Sequence, residues 1–366
     1  MPNILLTCAG RRNYLVHYFR QALGGQGEVV AVDSNPTAPA LQMADRAFVV
    51  PTINHPDYFD QLLEICRQHR VGLLLSLNDL ELPLLASQRD RFMAVGTLPV
   101  VSSPEVIDLC FDTLAATEFL EQAGLKVPRT FVTLEDVRGA LGRDELGLPL
   151  VIKPRWGSAS IGIEYPESLE ELEMAWNLSK LRLLRTCLAG PSAANLEQCM
   201  LVQERLAGVE YGLDVVNDLE GRHVGTFVKQ KKAMRAGETD QAVTVVSPLL
   251  QGVGRKIGEA LQHVGNLDCD VFVEGDQCRV LEMNPRFGGG YPFSHAAGAN
   301  LPAALLAWAQ GKTPDPQWLT LRPVVASAKC DHLVEVRDYA RSETSVFVKN
   351  MLTGRKNQFG AAVEAV

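Results

Sequence analysis

The stretch "LEMNPRFGGG", residues 281–290, sets Glu282, Asn284 and Arg286 at alternate positions ahead of three consecutive glycines. Successive side chains on a strand leave opposite faces, so a carboxylate, a carboxamide and a guanidinium share one face here. Hard oxygen donors beside a cation suit a magnesium-bound phosphate, because Mg2+ keeps positions for water and substrate phosphates. Upstream, "CDVFV" and "CRVLEMN" flank "EGDQ" and read as a hairpin. Its loop length decides which residues face each other. A three-residue loop, Gly275-Asp276-Gln277, sets Asp270 opposite Glu282; a two-residue loop slips the register and turns Asp270 away. The three-residue loop is expected, since it gathers Asp270, Glu282 and Asn284 as metal ligands. The competing reading, a solvated polar hairpin face, is outweighed by the Asn-Pro-Arg and Gly-Gly-Gly that follow.

Two further stretches carry chemistry. "VIKPRWGSASIG", residues 151–162, is an apolar strand ending in Lys153, stiffened by Pro154 and followed by a loop with Gly157, Ser158, Ser160 and Gly162. Small residues let backbone N–H groups approach phosphate oxygens while the lysine adds a point charge. It is not a Walker A loop, because the lysine precedes the glycines. "LVQERLAGVEYGLDV", residues 201–215, offers Gln203, Glu204, Leu206 and Glu210 on a strand and its exit. An adenine needs an extended backbone edge with apolar cover, and a ribose needs a carboxylate. Taken alone, these acids read more readily as ordinary solvated strand residues than as a nucleotide site.

The elements that must hold these groups are legible in the patterning. Residues 1–104 alternate strand runs ("NILLTC", "EVVAVDSN", "VGLLLSL") with helical ones, which predicts a Rossmann-like parallel sheet covered on both faces. Residues 105–200 begin with one long helix, "PEVIDLCFDTLAATEFLEQAG", and carry the phosphate loop; residues 201–320 are rich in strands that suit antiparallel hairpins and carry the metal ligands. The first part is thus α/β and the second α+β. Residues 321–366 are a C-terminal extension of mixed pattern with no assigned role.

Composition narrows the partners. A formal charge of −8 argues against a nucleic-acid or anionic-membrane partner. No apolar run approaches the ~20 residues a membrane helix needs. "MPNILLTCAG" lacks a secretory leader's basic region and cleavage site and reads as a first strand. The eight cysteines are scattered without a C-x-x-C pair, so reduced thiols and a cytoplasmic location are expected. Cys8 reads as packing, and the histidines lack the spacing of a transition-metal site.

A lysine at a strand end, a small-residue loop, a Q-E-x-L strand and then E-x-N-P-R, in that order, resemble the ATP-grasp superfamily. The similarity is closest to the ATP-binding half-units of the carbamoyl-phosphate synthase large subunit and their single-unit relatives. It implies an ATP-grasp fold behind the N-terminal α/β domain, with ATP and Mg2+ as cofactors. On that basis Lys153 would contact ATP phosphate and the 157–162 loop would close over it. Gln203 to Leu206 would frame adenine, and Glu210 would take the ribose hydroxyls. Asp270, Glu282 and Asn284 would hold Mg2+, and Arg286 would stabilise the transferred phosphoryl group. The family's Asp-Lys is here Asp112-Thr113, so one phosphate-side cation is missing. Arg235 and Lys231 in "VKQKKAMRAGE" are the leading replacements, ahead of Lys229 and Lys232.

The resemblance implies a ligase that joins a small-molecule carboxylate to an amine, releasing ADP and phosphate. Bicarbonate activation, as in carbamoyl-phosphate synthesis, and nucleotide binding without turnover are the alternatives. Asn78, Asp79 and Glu81 follow a parallel strand, where they either bind an amino group or cap the next helix; capping is expected. Arg11 and Arg12 would face an acidic substrate or phosphates, while their single-glycine turn excludes a dinucleotide site. Gly288 to Gly290 would admit an acyl group, His295 reads as structural, and the apolar first domain makes a homodimer an expectation.

Overall fold

The apolar runs of the first hundred residues form a wholly parallel sheet in the computed structural model, which describes residues 3–157 and 160–336. Strands β1 (Asn3–Thr7), β2 (Val29–Asp33), β3 (Arg46–Val49), β4 (Val71–Ser76) and β5 (Leu98–Pro99) lie in the order β3-β2-β1-β4-β5. The chain winds one way from β1 to β3 and the other way from β4 to β5. The carboxyl ends of β1 and β4 therefore flank a crevice, where such sheets present ligands. Both faces are covered: Leu15, Val16 and Phe19 of the helix Asn13–Leu23 on one side, Tyr58, Leu62 and Cys66 on the other.

A second, three-stranded antiparallel sheet comprises β6 (Thr130–Phe131), β7 (Leu150–Pro154) and β8 (Met200–Glu204), in the order β6-β8-β7. Leu172 and Trp176 of the helix Leu169–Leu183 pack on its buried Leu150, Ile152, Met200 and Val202. "MLVQE" thus belongs to this small sheet, because its apolar residues complete that core.

The third sheet is antiparallel and six-stranded. Strands β9 (Val209–Asn217), β10 (His223–Arg235), β11 (Glu238–Val245), β12 (Gly265–Glu274), β13 (Gln277–Asn284) and β14 (Ala326–Ala328) run in the order β13-β12-β9-β10-β11-β14. The expected α/β and α+β architecture is present, and β14 places part of the unassigned C-terminal stretch on the edge of this sheet. Residues 337–366 lie outside the described residues.

The helix predicted over 104–124 is broken. It runs Pro104–Phe111 and Thr113–Gln122, with Asp112 extended between them. The Asp112 carboxylate accepts the backbone N–H groups of Leu114 and Ala115, starting a new helix. It also takes Arg155 in a two-pronged pair whose shortest contact is 2.7 Å. That break puts Thr113 on the wall of the central cavity.

The small sheet joins the large one through residues 205–208. Gly208 has φ +96°, and a side chain there would meet the Val273 carbonyl oxygen at 2.3 Å. Only glycine lets the linker pass so close beneath β12.

Candidate functional site

A cavity of about 390 Å3 opens where the three sheets meet. Cys8, Asn78 and Asp79 line it from the parallel sheet, and Lys153, Gly157 and Ser160 from the small one. Lys231, Asp268, Asp270, Glu282, Asn284 and Arg286 line it from the large sheet. Its size and convergent polar groups suit a small-molecule site.

Asp270 stands opposite Glu282, and Asp268 opposite Asn284, so four oxygen-bearing side chains share one face. The route to that pairing differs from the expected one. The turn has two residues, Gly275-Asp276, since Glu274 pairs with Gln277. Val271 then pairs with Val280 while Asp270 pairs with Glu282, leaving Leu281 as an extra residue in β13. This β-bulge shifts the register back by one and cancels the slip the short turn imposes. Asp268 escaped the sequence reading, although its alternation with Asp270 in "LDCD" was the available signal.

Lys231 bridges two carboxylates, with Nζ 2.6 Å from Glu210 Oε1 and 2.7 Å from Asp270 Oδ2. Burial opposes its charge, but Asp270 and Glu210 hold its pKa above the ordinary lysine value. Burial raises the Asp270 carboxyl above the ordinary carboxylate range, with Lys231 opposing the shift and Asp268 and Glu282 adding to it. Gly212 lies between these groups in the ladder, and its missing side chain makes room for the Lys229 and Lys231 stems. Lys229 itself is fully buried on Asp214 at 2.6 Å.

Of the two expected replacement cations, only Lys231 reaches the cavity. Arg235 turns outward, 46% exposed, and pairs with Asp240 and Asp331. Strict alternation from Lys231 would have brought it inward. Register shifts on either side of Ala233 reverse the phase, so Met234 lines the wall instead.

Arg286 is held from both sides. Its Nη2 donates to Asp79 Oδ2 at 3.0 Å and its Nη1 to Asp268 Oδ2 at 3.0 Å. Nε lies 3.0 Å from Asp79 Oδ1 but off the hydrogen-bonding line, so that contact is an ion pair alone. Burial works against the guanidinium's charge, and the two carboxylates more than offset it, raising its pKa. Asp79 therefore neither caps a helix nor stands open for an amine. Glu81 does not cap either: buried, it accepts hydroxyl hydrogen bonds from Thr7, Ser76 and Tyr58 at 2.7, 2.7 and 2.8 Å. Asn78 does take a local role, accepting the Leu80 N–H at 3.0 Å.

Lys153 is 9% exposed at the end of β7, and among the described residues its ammonium pairs with no carboxylate within 4 Å. Burial lowers its pKa, partly offset by Glu282. In the loop beyond it, Gly157 and Ser160 line the cavity, Gly162 packs against Pro154, and Ser158 lies outside the described residues. None of the side chains expected around adenine lines this cavity. Gln203 donates to Thr130 Oγ1 at 2.7 Å, as its antiparallel pairing dictates. Glu204 accepts the Arg129 N–H at 3.1 Å in a separate surface hollow, Leu206 sits in the linker, and Glu210 reaches the site only through Lys231.

The glycines 288–290 leave room for neighbouring charged side chains, and Gly289 and Gly290 line the cavity. A side chain at Gly288 would lie 2.0 Å from the Asp268 carboxyl carbon, and one at Gly290 2.6 Å from Lys229 Cε. They admit the site's own charged groups. His295 is structural as expected: it stacks on Tyr18 at 3.6 Å, and burial pushes its pKa down to about 4. Burial, then Glu81, raises the Cys8 thiol, which opposes thiolate chemistry. Arg12 lines the cavity and donates to the Phe287 carbonyl, whereas Arg11 is exposed.

Among the described residues no three His, Cys, Asp or Glu are arranged so that they could hold a metal ion by themselves. The open face of Asp270, Glu282, Asn284 and Asp268 fits Mg2+ in another way, since that ion binds through one or two carboxylates and completes its shell with water and phosphate oxygens.

Residues 4–101 match the family of PylC-like N-terminal domains, and residues 197–331 match that of ATP-grasp in the biosynthetic pathway with Ter operon. The carbamoyl phosphate synthase large chain of Rubrobacter xylanophilus is 26% identical over 76% of this chain. The match covers 26% of that relative, so this chain spans about a quarter of its length. The fold resembles a biotin carboxylase complex from Campylobacter jejuni, with a TM-score of 0.68 and 15% identity over 87% of this chain and 73% of that one. It also resembles an L-amino acid ligase from Bacillus licheniformis, with a TM-score of 0.66 and 18% identity over 89% and 79%.

Proposed function

Because the chain carries an ATP-grasp domain, we propose that it is an ATP-dependent carboxylate–amine ligase acting on small molecules. A carboxylate is a poor electrophile. In the proposed reaction its oxygen takes the γ-phosphoryl group of ATP: a new O–P bond forms, the β–γ bridge breaks, and ADP leaves. The amine nitrogen then attacks the carbonyl carbon, phosphate departs with the C–O bonding electrons, and the nitrogen loses a proton to water. Positioning and electrostatics supply most of the catalysis in such a transfer.

Each role rests on placement. Lys153, desolvated and without a carboxylate partner among the described residues, contacts phosphate oxygens beside the 157–162 loop. Arg286 faces the acyl phosphate, its plane fixed by Asp79 and Asp268. Asp270, Glu282 and Asn284 hold Mg2+, and Asp268 both flanks them and anchors Arg286. Bound there, the ion would neutralise phosphate charge as it develops. Lys231 supplies the cation that Thr113 lacks. The proposal divides the chain at about residues 104, 200 and 320 into the N-terminal domain, two ATP-grasp subdomains and the extension.

One observation carries the reading: three separate sheets contribute Lys153, Arg286 with its Asp79 anchor, and the facing acids to a single cavity. The test is ADP and phosphate release from Mg-ATP across a panel of amino acids and small carboxylic acids, with mass spectrometry of products. A new amide or peptide bond with stoichiometric ADP supports the ligase. ADP formed with bicarbonate alone favours the carbamoyl-phosphate type of activation. AMP and pyrophosphate exclude an acyl phosphate, and tight binding with no turnover under any mixture leaves only a nucleotide-binding role.

A further inference from the structure

The helix Leu169–Leu183 is apolar on two faces. Leu172, Trp176 and Leu183 are buried against the small sheet. On the outer side Met174, Leu178 and Leu181 are 59%, 43% and 62% exposed. Positions three and four apart share a helix face, so these side chains form one stripe about 10 Å long. A solvated helix ordinarily keeps such a face polar.

Charge is distributed along this face by sign. Glu170 and Glu171 stand at its amino end, Arg182 and Arg185 at its carboxyl end, all exposed. The amino end is fixed by a reciprocal cap: Ser168 Oγ accepts the Glu171 N–H at 3.1 Å and Glu171 accepts the Glu167 N–H at 2.7 Å. Arg182 makes only a 3.4 Å contact with Glu164 and stays 61% exposed.

Reversed end for end, this pattern is its own complement. Two copies laid antiparallel set Met174 against Leu181, Leu178 against its own copy, and the acidic end of each against the basic end of the other. That is the requirement of an isologous two-fold contact, in which one patch recognises itself. We propose that the outer face of the helix Leu169–Leu183 pairs with the same face of a second copy of this chain. An acidic or a basic partner would complement only one half of the face. The contact is small, below the ~1,200 Å2 of stable interfaces, so the dimer is weak and exchanges rapidly. The same helix packs on β7, the strand that ends in Lys153, so pairing joins the phosphate-loop sheets of two protomers.

Sedimentation velocity over about 1 to 100 μM tests this, the range in which a small interface titrates. The wild type is expected to pass reversibly from monomer to dimer. Leu178→Glu sets like charges on the two-fold axis and should weaken the dimer at least tenfold, with an unchanged unfolding midpoint. Glu170→Lys and Arg185→Glu should each weaken it, and the double variant should restore it, because both swapped pairs re-form across the axis. A wild type that stays monomeric overturns the proposal and leaves the face to another partner. So does a dimer indifferent to Leu178→Glu, or a double variant no tighter than either single one.

Discussion

Asp79→Ala measures what the N-terminal domain contributes to the site. The substitution removes one charge-assisted hydrogen bond at 3.0 Å and one ion-pair contact at 3.0 Å from Arg286. A hydrogen bond to a charged group is worth about 1.5–3 kcal/mol, and stripping a buried charge of its whole partner costs about 3–5 kcal/mol. Arg286 keeps Asp268 on its other side, so the expected loss lies near the lower bound, about 2–3 kcal/mol. Both side chains are only 10% exposed, so solvent screening removes little of it. For a chain of 366 residues that corresponds to a fall in unfolding midpoint of about 3–4 °C. Scanning calorimetry reads it directly. Asp79→Asn keeps the shape and an acceptor oxygen and should fall between, while Asp276→Ala on the exposed hairpin turn serves as the control. Turnover should fall alongside stability in both Asp79 variants, because the guanidinium loses its fixed plane. A stability loss for Asp79→Ala below about 0.5 kcal/mol would refute the clamp, since surface substitutions reach that size by themselves.

Other perturbations separate the remaining groups. Glu282→Gln should abolish ADP release while leaving the unfolding midpoint unchanged; near-normal turnover removes the metal assignment. Lys231→Ala should weaken ATP binding at least tenfold in calorimetric titration, whereas Arg235→Ala should leave it unchanged. Gly288→Ala drives a methyl into the Asp268 carboxylate and should cost about 1–3 kcal/mol by overpacking, with turnover lost, while Gly225→Ala, open to space, should cost little. His263 is fully buried, and burial depresses its pKa to about 4 against 6.5 unfolded. Between those values the unfolded chain binds more protons, so its contribution is complete above about pH 6.5 and is lost as pH falls toward about 4. That contribution is about 3 kcal/mol, and urea titrations of His263→Leu against wild type should show the slope reduced by that amount, with His295 supplying part of what remains.

The parallel sheet and the strand-rich half were legible because buried strands write themselves as apolar runs. Asp270, Glu282, Asn284 and Arg286 could be set on one face because alternation on a strand is a local rule, and Lys153 could be picked out by its place at a strand end before a small-residue loop. What failed was whatever depended on breaking that rule. Leu281 adds a residue to β13 that turn length alone cannot foresee, and the right partners met through a bulge. The irregularity around Ala233 reversed the phase of β10 and sent Arg235 outward. Long-range pairs were equally invisible: nothing near Asp79 announces a guanidinium 207 positions away. The side-chain partners of Gln203 and Glu204, Thr130 and the Arg129 N–H, were not legible because they come from another strand and its approach, more than 70 positions away.

Lys231 gives the resting protein a property of its own. An ammonium already lodged between Glu210 and Asp270 competes with any dication for the same oxygens. If Asp270 holds the ion as proposed, bare magnesium would have to displace that ammonium where its side chain is only 7% exposed, whereas a nucleotide arriving with its ion would offer it anionic oxygens. On the proposed site, this wedge would favour loading as a single chelate over loading ion first.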